Sequence, residues 1–533
     1  MPSFKLDGRD VEFSPGETVI EAARKAGVDI PHYCWHPGLS VAANCRMCLV
    51  EVGPPPGRPA LMLNVLEYDA EKGEYIDAKK PKLQPSCQLG AVEGMEVKSE
   101  SSEHVKRARA AVQEMLLLNH PVDCPICDQA GECRLQDYWL EHQSTDKRMK
   151  DETIRKPKAQ DFGPTIVYDA ERCIVCTRCI RFSEEIAKDP VLDLRDRGNL
   201  AEVVVAPGRE LDHDYTLMTE HVCPVGALTA KDFRFKARVW FLRSSQSICQ
   251  GCSTGCNAFL DYDPRDQTVY RHRPRENAEV NKFWMCDKGM LDYRRIHENR
   301  LLEPTISGKS ADVGAALEKA VELLKDVDSD KLAVVLSAQH SNEDNFALLT
   351  LAQEHLGSKA LFLAARPSGP ADDILINADK NPNTAGATAV CGSTPPKSFS
   401  ELLTAIGSGK ISHVLALSAD VEEDLSPLSD LKALVVLSTH DVGLAKAATV
   451  ALPASSWAEC DGTFVNEKGA SQASESAIKP QGASRPAWKL AGAIGMRLGK
   501  STPWKSLDDF RGAVNSDAAA AGVDVGVQPG ASA

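Results

Sequence analysis

The chain opens on a short alternation of apolar and polar positions. In FKLDGRDVEF, residues 4–13, two strand-like runs flank Asp7-Gly8, the kind of dipeptide that supplies the positive backbone angles of a two-residue hairpin. Pro15-Gly16-Glu17-Thr18 then starts an amphipathic stretch that predicts a helix to about Ala26. A second helix is predicted from about His104 to Leu118, stopping before His120-Pro121, because a residue ahead of proline is steered away from helical angles. Residues 53–82 read as an inserted polar excursion, and the charged, apolar-poor residues 142–160 as a linker. Beyond residue 300 the texture changes. Apolar runs at Leu332–Leu336, Val414–Leu417 and Ala433–Leu437 alternate with helical patterns at Val313–Leu324, Asn345–Leu356 and Pro486–Leu498. That alternation predicts an α/β domain with a mostly parallel sheet. The Ala/Gly/Val-rich tail from about Ser516 reads as disordered.

Charge and composition narrow the function class. With 61 basic against 75 acidic side chains the net charge is −14, which disfavours a nucleic-acid binder, since phosphates must be met by a basic face. The opening residues have neither a basic segment nor an apolar one of the kind that marks a signal or transit peptide. No apolar run is long enough to span a bilayer. The expected location is cytosolic, with any membrane association made through other subunits.

Cysteine changes the picture most. Of 17 cysteines, 15 lie between Cys34 and Cys286, and such clustering in a reducing compartment points to metal rather than disulfides. Thiolates at short spacings are the ligands that soft metals and iron–sulfur clusters require. Cys34, Cys45, Cys48 and the distant Cys87 follow C-x10-C-x2-C-x38-C, three thiolates on a loop and one from afar. Plant-type [2Fe–2S] sites are built this way, and the hairpin and helix ahead of the loop suit a β-grasp ferredoxin module. His120, Cys124, Cys127 and Cys133 put an imidazole with three thiolates. Zinc is the alternative at both of these sites, and at the second His120 could simply cap the preceding helix.

Cys173, Cys176 and Cys179 open like a two-cluster bacterial ferredoxin, and Cys223-Pro224 closes like one. In that register the remaining four ligand positions fall on Ser183, His213, Thr216 and Thr219. All four lost thiolates belong to one cluster, so a single [4Fe–4S] cluster is expected from the four retained. Cys249, Cys252, Cys256 and Cys286 give a further cubane spacing, C-x2-C-x3-C-x29-C, at the entrance to the α/β region. Cys391 and Cys460 have no partner at metal spacing and read as buried free thiols.

Several stretches together carry a family resemblance: HYCWHPGLSVAANCRMCLVEV, LLNHPVDCPICDQAGECRLQD, ERCIVCTRCIRF with HVCPVGAL, and QSICQGCSTGCN with WMCDKG. They resemble the large iron–sulfur G subunit of bacterial respiratory complex I, NADH–quinone oxidoreductase. LPASSWAECDGTFVNEKGASQ resembles the segment that this subunit shares with molybdopterin oxidoreductases. The resemblance implies an electron-transfer subunit with one [2Fe–2S] and three [4Fe–4S] clusters, no molybdopterin and no bond-making active site of its own. An FMN-bearing, NADH-oxidising partner would deliver electrons, and a smaller cluster-bearing subunit would take them toward quinone. The whole would sit peripherally on the cytoplasmic side of the inner membrane. The first three sites would form the relay and the fourth would lie off it.

The implied domains are a β-grasp [2Fe–2S] domain at 1–100, a [4Fe–4S] domain with one histidine and three cysteine ligands at 101–141, and a ferredoxin-like [4Fe–4S] domain at 160–240. A [4Fe–4S] entrance domain at 241–300, a reduced α/β molybdopterin-oxidoreductase-like domain at 301–515 and a tail at 516–533 complete the division. Two departures stand out: the excursion before Cys87 is long for the family, and Ala470 stands where Arg is expected after Glu467-Lys468-Gly469. The alternative reading is the catalytic subunit of an NAD-linked molybdenum or tungsten formate dehydrogenase. Lys288, after the last cluster ligand, leans that way, and Cys391 would be its only candidate metal thiol.

Overall fold

In the computed structural model Asp7 and Gly8 both take positive φ, 47° and 83°, and turn Ser3–Leu6 back on Arg9–Glu12. The structure describes residues 1–53, 61–69, 71–146, 148–499, 506–509 and 511–512; the tail expected from Ser516 lies outside them. The chain divides into two units, Met1–Trp240 and Phe241–Ala533.

In the first unit the N-terminal hairpin joins a five-stranded sheet in the order Arg9–Glu12, Ser3–Leu6, Glu96–Lys98, Leu49–Val52, Gln84–Pro85. The helix Val19–Lys25 packs Val19, Ile20, Ala22 and Ala23 against Phe4, Leu6, Val11 and Val97. Its start is fixed by a capping box between Thr18 and Glu21, which satisfies two otherwise orphaned N–H groups. The Asp7 carboxylate accepts from the N–H groups of Ser99, Glu100 and Ser101 at 2.8–3.0 Å, tying the hairpin to the start of the helix Glu103–Leu117.

The excursion expected at 53–82 is, over its described part, an antiparallel hairpin of Met62–Asp69 with Glu74–Pro81. A third region pairs Ile166–Tyr168 with Leu228–Ala230 in antiparallel register, Tyr168 opposite Leu228. The residues between carry the helices Arg178–Glu185 and Leu217–His221.

The second unit begins with three antiparallel strands, Arg243–Ile248, Asn257–Asp263 and Thr268–Pro274. An eight-stranded sheet follows. Six of its strands run parallel in the order Val450–Pro453, Ala433–Ser438, His413–Leu417, Leu332–Ser337, Ala360–Ala364, Lys397–Ser398, and Thr305–Ile306 and Lys309–Ser310 extend one edge antiparallel. The central strands Leu332–Ser337 and Ala433–Ser438 are buried on both faces, which is why they read as unbroken apolar runs. Val313–Leu324, Asn342–Thr350 and Ala487–Arg497 cover one face, and Phe399–Gly407 and Leu444–Ala447 the other. The middle helix of the first group starts three residues earlier than expected. Ser341 caps it at Asp344 N–H, so the polar but buried Asn342, Glu343 and Asp344 form its first turn.

Candidate metal centres

At the first site the sheet explains how a distant thiol arrives. Leu49–Val52 starts directly after Cys48, and Leu49 stands opposite Pro85, so the strand pair delivers Cys87 to the loop. Ala43 and Arg46 take positive φ, 49° and 60°, an unfavourable conformation for residues with a Cβ. Such angles turn the loop sharply between Cys34 and Cys48, and strained residues of this kind gather at functional sites. The thiols associate in two pairs. Hydrogen bonding with Cys45 lowers Cys34, and hydrogen bonding with Cys87 lowers Cys48, each against the opposing effect of burial. Two pairs of thiols suit two irons with two thiolates each.

At the second site Cys124 begins a short 3-10 turn, and Cys133 caps the helix Arg134–His142. Burial pushes Cys133 to about 11, opposed by the N–H groups of Gln136 and Leu135 directed at its sulfur. Burial, reinforced by Arg172, lowers His120 to about 4. A neutral imidazole keeps a lone pair for a metal. His120 shares Arg172 with Cys127, and Arg172 donates to Asp123 at 3.0 Å, next to Cys124.

At the third site the strand pairing sets the two ends of the motif together, since Tyr168 and Leu228 each lie five residues from Cys173 and Cys223. Val175 and Thr177 take positive φ, 54° and 62°, although both are β-branched. Val175 N–H then donates to Cys173 Sγ at 3.3 Å. Ser183, Thr216 and Thr219 are buried without a thiol among them, and His213 is half-buried, at the four positions of the lost second cluster.

The fourth site lies in the second unit. Cys286 caps the helix Asp287–Leu291, and its sulfur accepts from Gly289 N–H at 3.4 Å; Gly251 N–H reaches Cys249 Sγ at 3.4 Å. A Cβ on Gly289 would come 2.9 Å from Cys249 Sγ and 3.5 Å from Cys286 Sγ, so glycine is what leaves room between these thiols. Among the described residues no three His, Cys, Asp or Glu side chains converge on a single-ion point.

Of the two leftover cysteines, Cys391 is buried as expected and Cys460 is only half-buried. Cys391 is buried in the apolar core of the sheet, and its thiol donates to Ala387 O at 3.6 Å; Cys460 donates to Ser456 O at 3.4 Å. Cys460 lines a crevice at the carboxyl ends of the parallel strands, where strand order reverses between Leu332–Ser337 and His413–Leu417. Ligands of open α/β sheets settle at such switch points. Here Arg366 and Arg295 both reach Asp420, at 3.1 and 2.6 Å, and the remaining cavity is about 50 Å³. Small-molecule pockets are commonly about 300–1,000 Å³.

Sequence reasoning missed the non-thiol neighbours of the sites. Gly226 is one: a Cβ there would run into Cys127 Sγ and Gln129 Cβ, so the loop after Cys223 lies against the loop of the second site. Arg134 N–H also donates to Pro224 O at 3.1 Å. Arg172, Arg178 and Arg181 are others. Their signal was present, since all three are interleaved with the thiols of ERCIVCTRCIRF.

Among the described residues no helix is long and apolar enough to cross a membrane. Five family descriptions match in succession. They are a 2Fe-2S iron-sulfur cluster binding domain at 2–102, the NADH-ubiquinone oxidoreductase-G iron-sulfur binding region at 109–148 and the NADH-quinone oxidoreductase subunit 3 ferredoxin-like domain at 163–229. The molybdopterin oxidoreductase Fe4S4 domain follows at 242–298 and the molybdopterin oxidoreductase domain at 294–497. The NADH-quinone oxidoreductase G subunit of Rickettsia conorii is 37% identical over 362 residues, 67% of this chain and 50% of the relative. The mitochondrial NADH dehydrogenase [ubiquinone] iron-sulfur protein 1 of Solanum tuberosum is 34% identical over 386 residues, 72% of this chain and 48% of the relative. A solved NAD+-reducing [NiFe]-hydrogenase chain is 31% identical, with a TM-score of 0.36, covering 45% of this chain and 91% of that one. The chain thus spans about half the length of the curated relatives it matches. With the three early iron–sulfur regions present in order, and relatives of one name over two thirds of its length, the chain belongs to the family of G subunits of NADH–quinone oxidoreductase.

Proposed function

We propose that this chain relays single electrons within an NADH–quinone oxidoreductase, from an FMN-bearing, NADH-oxidising partner toward quinone. Cys34, Cys45, Cys48 and Cys87 would hold a [2Fe–2S] cluster. His120 with Cys124, Cys127 and Cys133, then Cys173, Cys176, Cys179 and Cys223, and in the second unit Cys249, Cys252, Cys256 and Cys286, would each hold a [4Fe–4S] cluster. The clusters supply reversible one-electron acceptance. The protein supplies thiolates, N–H groups directed at sulfur, and burial.

One observation carries this reading: three thiol-bearing loops of the first unit are packed against one another at residues adjacent to their own cysteines. Arg134 N–H meets Pro224 O, Gly226 lies on Cys127, and Asn44 donates to Val175 O at 3.2 Å. Separate structural metal sites have no need of such neighbours.

The surface around the second site supports an exchange point with a partner. Cys124 is exposed, and Val122, Ile126 and Phe235 nearby are 90%, 62% and 65% accessible. Nothing in the relatives' names supports the formate dehydrogenase alternative, and its one candidate thiol, Cys391, is buried in the core. The crevice occupied by Arg366, Asp420 and Arg295 is in keeping with a domain that works without a pterin.

Anaerobic purification with iron counting and EPR of the reduced protein tests the assignment. About 14 irons per chain are expected, from one [2Fe–2S] and three [4Fe–4S] clusters. A value below about ten in well-loaded protein would overturn it.

A further inference from the structure

The helix Arg178–Glu185 carries two guanidinium groups whose partners lie on both sides of it. Arg181 Nη2 donates to Cys34 O at 2.6 Å and to Cys176 O at 3.2 Å, so one nitrogen joins the backbones of two thiol residues from different sites. Its Nη1 donates to Ser40 O, farther along the first loop. Arg178 repeats the arrangement one step out. Its Nη2 donates to Trp35 O, beside Cys34, and its Nη1 to Val222 O, beside Cys223, at 3.2 Å. Ser40 N–H donates back to Glu185 at the far end of the same helix, at 2.8 Å.

No carboxylate among the described residues pairs with either arginine; their partners are carbonyl oxygens and the Thr177 hydroxyl. Arg181 is 8% exposed. A cation withdrawn from water needs a compensating negative charge. The thiol sets of the first and third sites, once deprotonated on iron, are the negative charges that lie on either side.

We propose that Arg178 and Arg181 form a shared positive clasp for these two sites. As positioning residues they fix the separation of the two loops. They also raise both reduction potentials together, because positive charge favours the reduced, more negative state. The step they would serve is the exchange of one electron between the first and third sites: as one is oxidised the other is reduced, and no bond or proton changes place. The route runs from the Cys34 carbonyl through the Arg181 guanidinium to the Cys176 carbonyl. This inference rests on the cluster reading above.

The test is an EPR-monitored redox titration of the anaerobically purified full chain, comparing wild type with Arg181→Gln, Arg181→Lys and Arg178→Gln. Each Gln variant should lower the reduced-to-oxidised ratio of both clusters at a fixed potential by about tenfold, equal to about 59 mV for a one-electron couple. Arg181→Lys should recover most of that shift. A shift confined to one cluster, or equal shifts in Lys and Gln, would overturn the clasp. Where a Gln variant fails to load, loss of both signals with retention in Arg181→Lys supports it, and loss of one alone, or loss in both variants, overturns it. Wild-type protein short of either signal would instead overturn the cluster reading itself.

Discussion

Gly289 is a position where one methyl group decides whether a site can close. Its Cβ would sit 2.9 Å from Cys249 Sγ and 3.1 Å from Met285 Cε. Gly289→Ala should therefore remove one [4Fe–4S] signal while leaving the other three, with iron falling to about ten per chain. Loss of all signals alike would point to a folding defect instead. His120 makes a parallel case by chemistry rather than space. Burial keeps its ring neutral, lowered to about 4, so across the physiological range it offers a lone pair and no charge. His120→Ala should disturb one cluster signal selectively, and an unchanged spectrum would take it off the ligand set. Only the first of these predictions needed the structure. His120 was found by its place before the thiols, whereas the crowding at Gly289 depends on Cys249, forty residues away.

At the scale of elements, one carboxylate ties together the three strands that open the second unit. Asp261, on the middle strand, accepts from Ser244 Oγ at 2.6 Å on one side and from Arg271 Nε at 2.6 Å and Arg273 Nη2 at 2.9 Å on the other. Burial alone would raise it; Arg273, Arg271 and Ser244 reverse that and bring it to about 2. The folded value lies below the unfolded one, near 3.9, so the stabilisation of about 2 kcal/mol is complete above that value and is lost as pH falls toward 2. Asp261→Asn should lower stability by a similar amount at pH 6, with the difference from wild type vanishing toward pH 2 in denaturant titrations.

The inserted hairpin should matter far less. Its contacts to the helix Glu103–Leu117 include Arg107 with Glu67 at 3.0 Å, with that arginine mostly exposed, and surface pairs of this kind contribute about 0–1 kcal/mol. Replacing 54–81 by a short linker should leave iron content and all four EPR signals in place. This hairpin was also illegible beforehand for a physical reason. MLNVLEYD lacks clean alternation because neither face enters a core, so burial imposed no pattern on it. The central parallel strands Leu332–Ser337, His413–Leu417 and Ala433–Ser438 were legible because burial on both faces left little choice of residue. Their order was not, since it is set by crossovers that leave no periodic trace.

At the scale of the molecule, the cysteine spacing pointed to four sets of thiols but not to which loops stand together. That depends on guanidinium groups and backbone carbonyls more than a hundred residues apart, such as Arg181 and Cys34. On the proposed cluster reading, iron would also be part of the fold's stability. Val175, Thr177, Ala43 and Arg46 hold left-handed angles costing about 1–3 kcal/mol each, a cost that ligation of iron by the neighbouring thiolates would offset. Chelation of iron should therefore lower the melting temperature of the chain and increase proteolysis within 34–48 and 173–179 first. Exposure is uneven as well: Cys124 is open to water, while Cys34, Cys48 and Cys87 are buried. Oxygen acts on what it can reach. In air the unassembled chain should lose the His120 cluster signal before the [2Fe–2S] signal, as timed EPR after aeration would record. On the proposed function, the lifetime of the isolated chain would be set by its most open thiol, and a partner that covered Cys124 would have to arrive early.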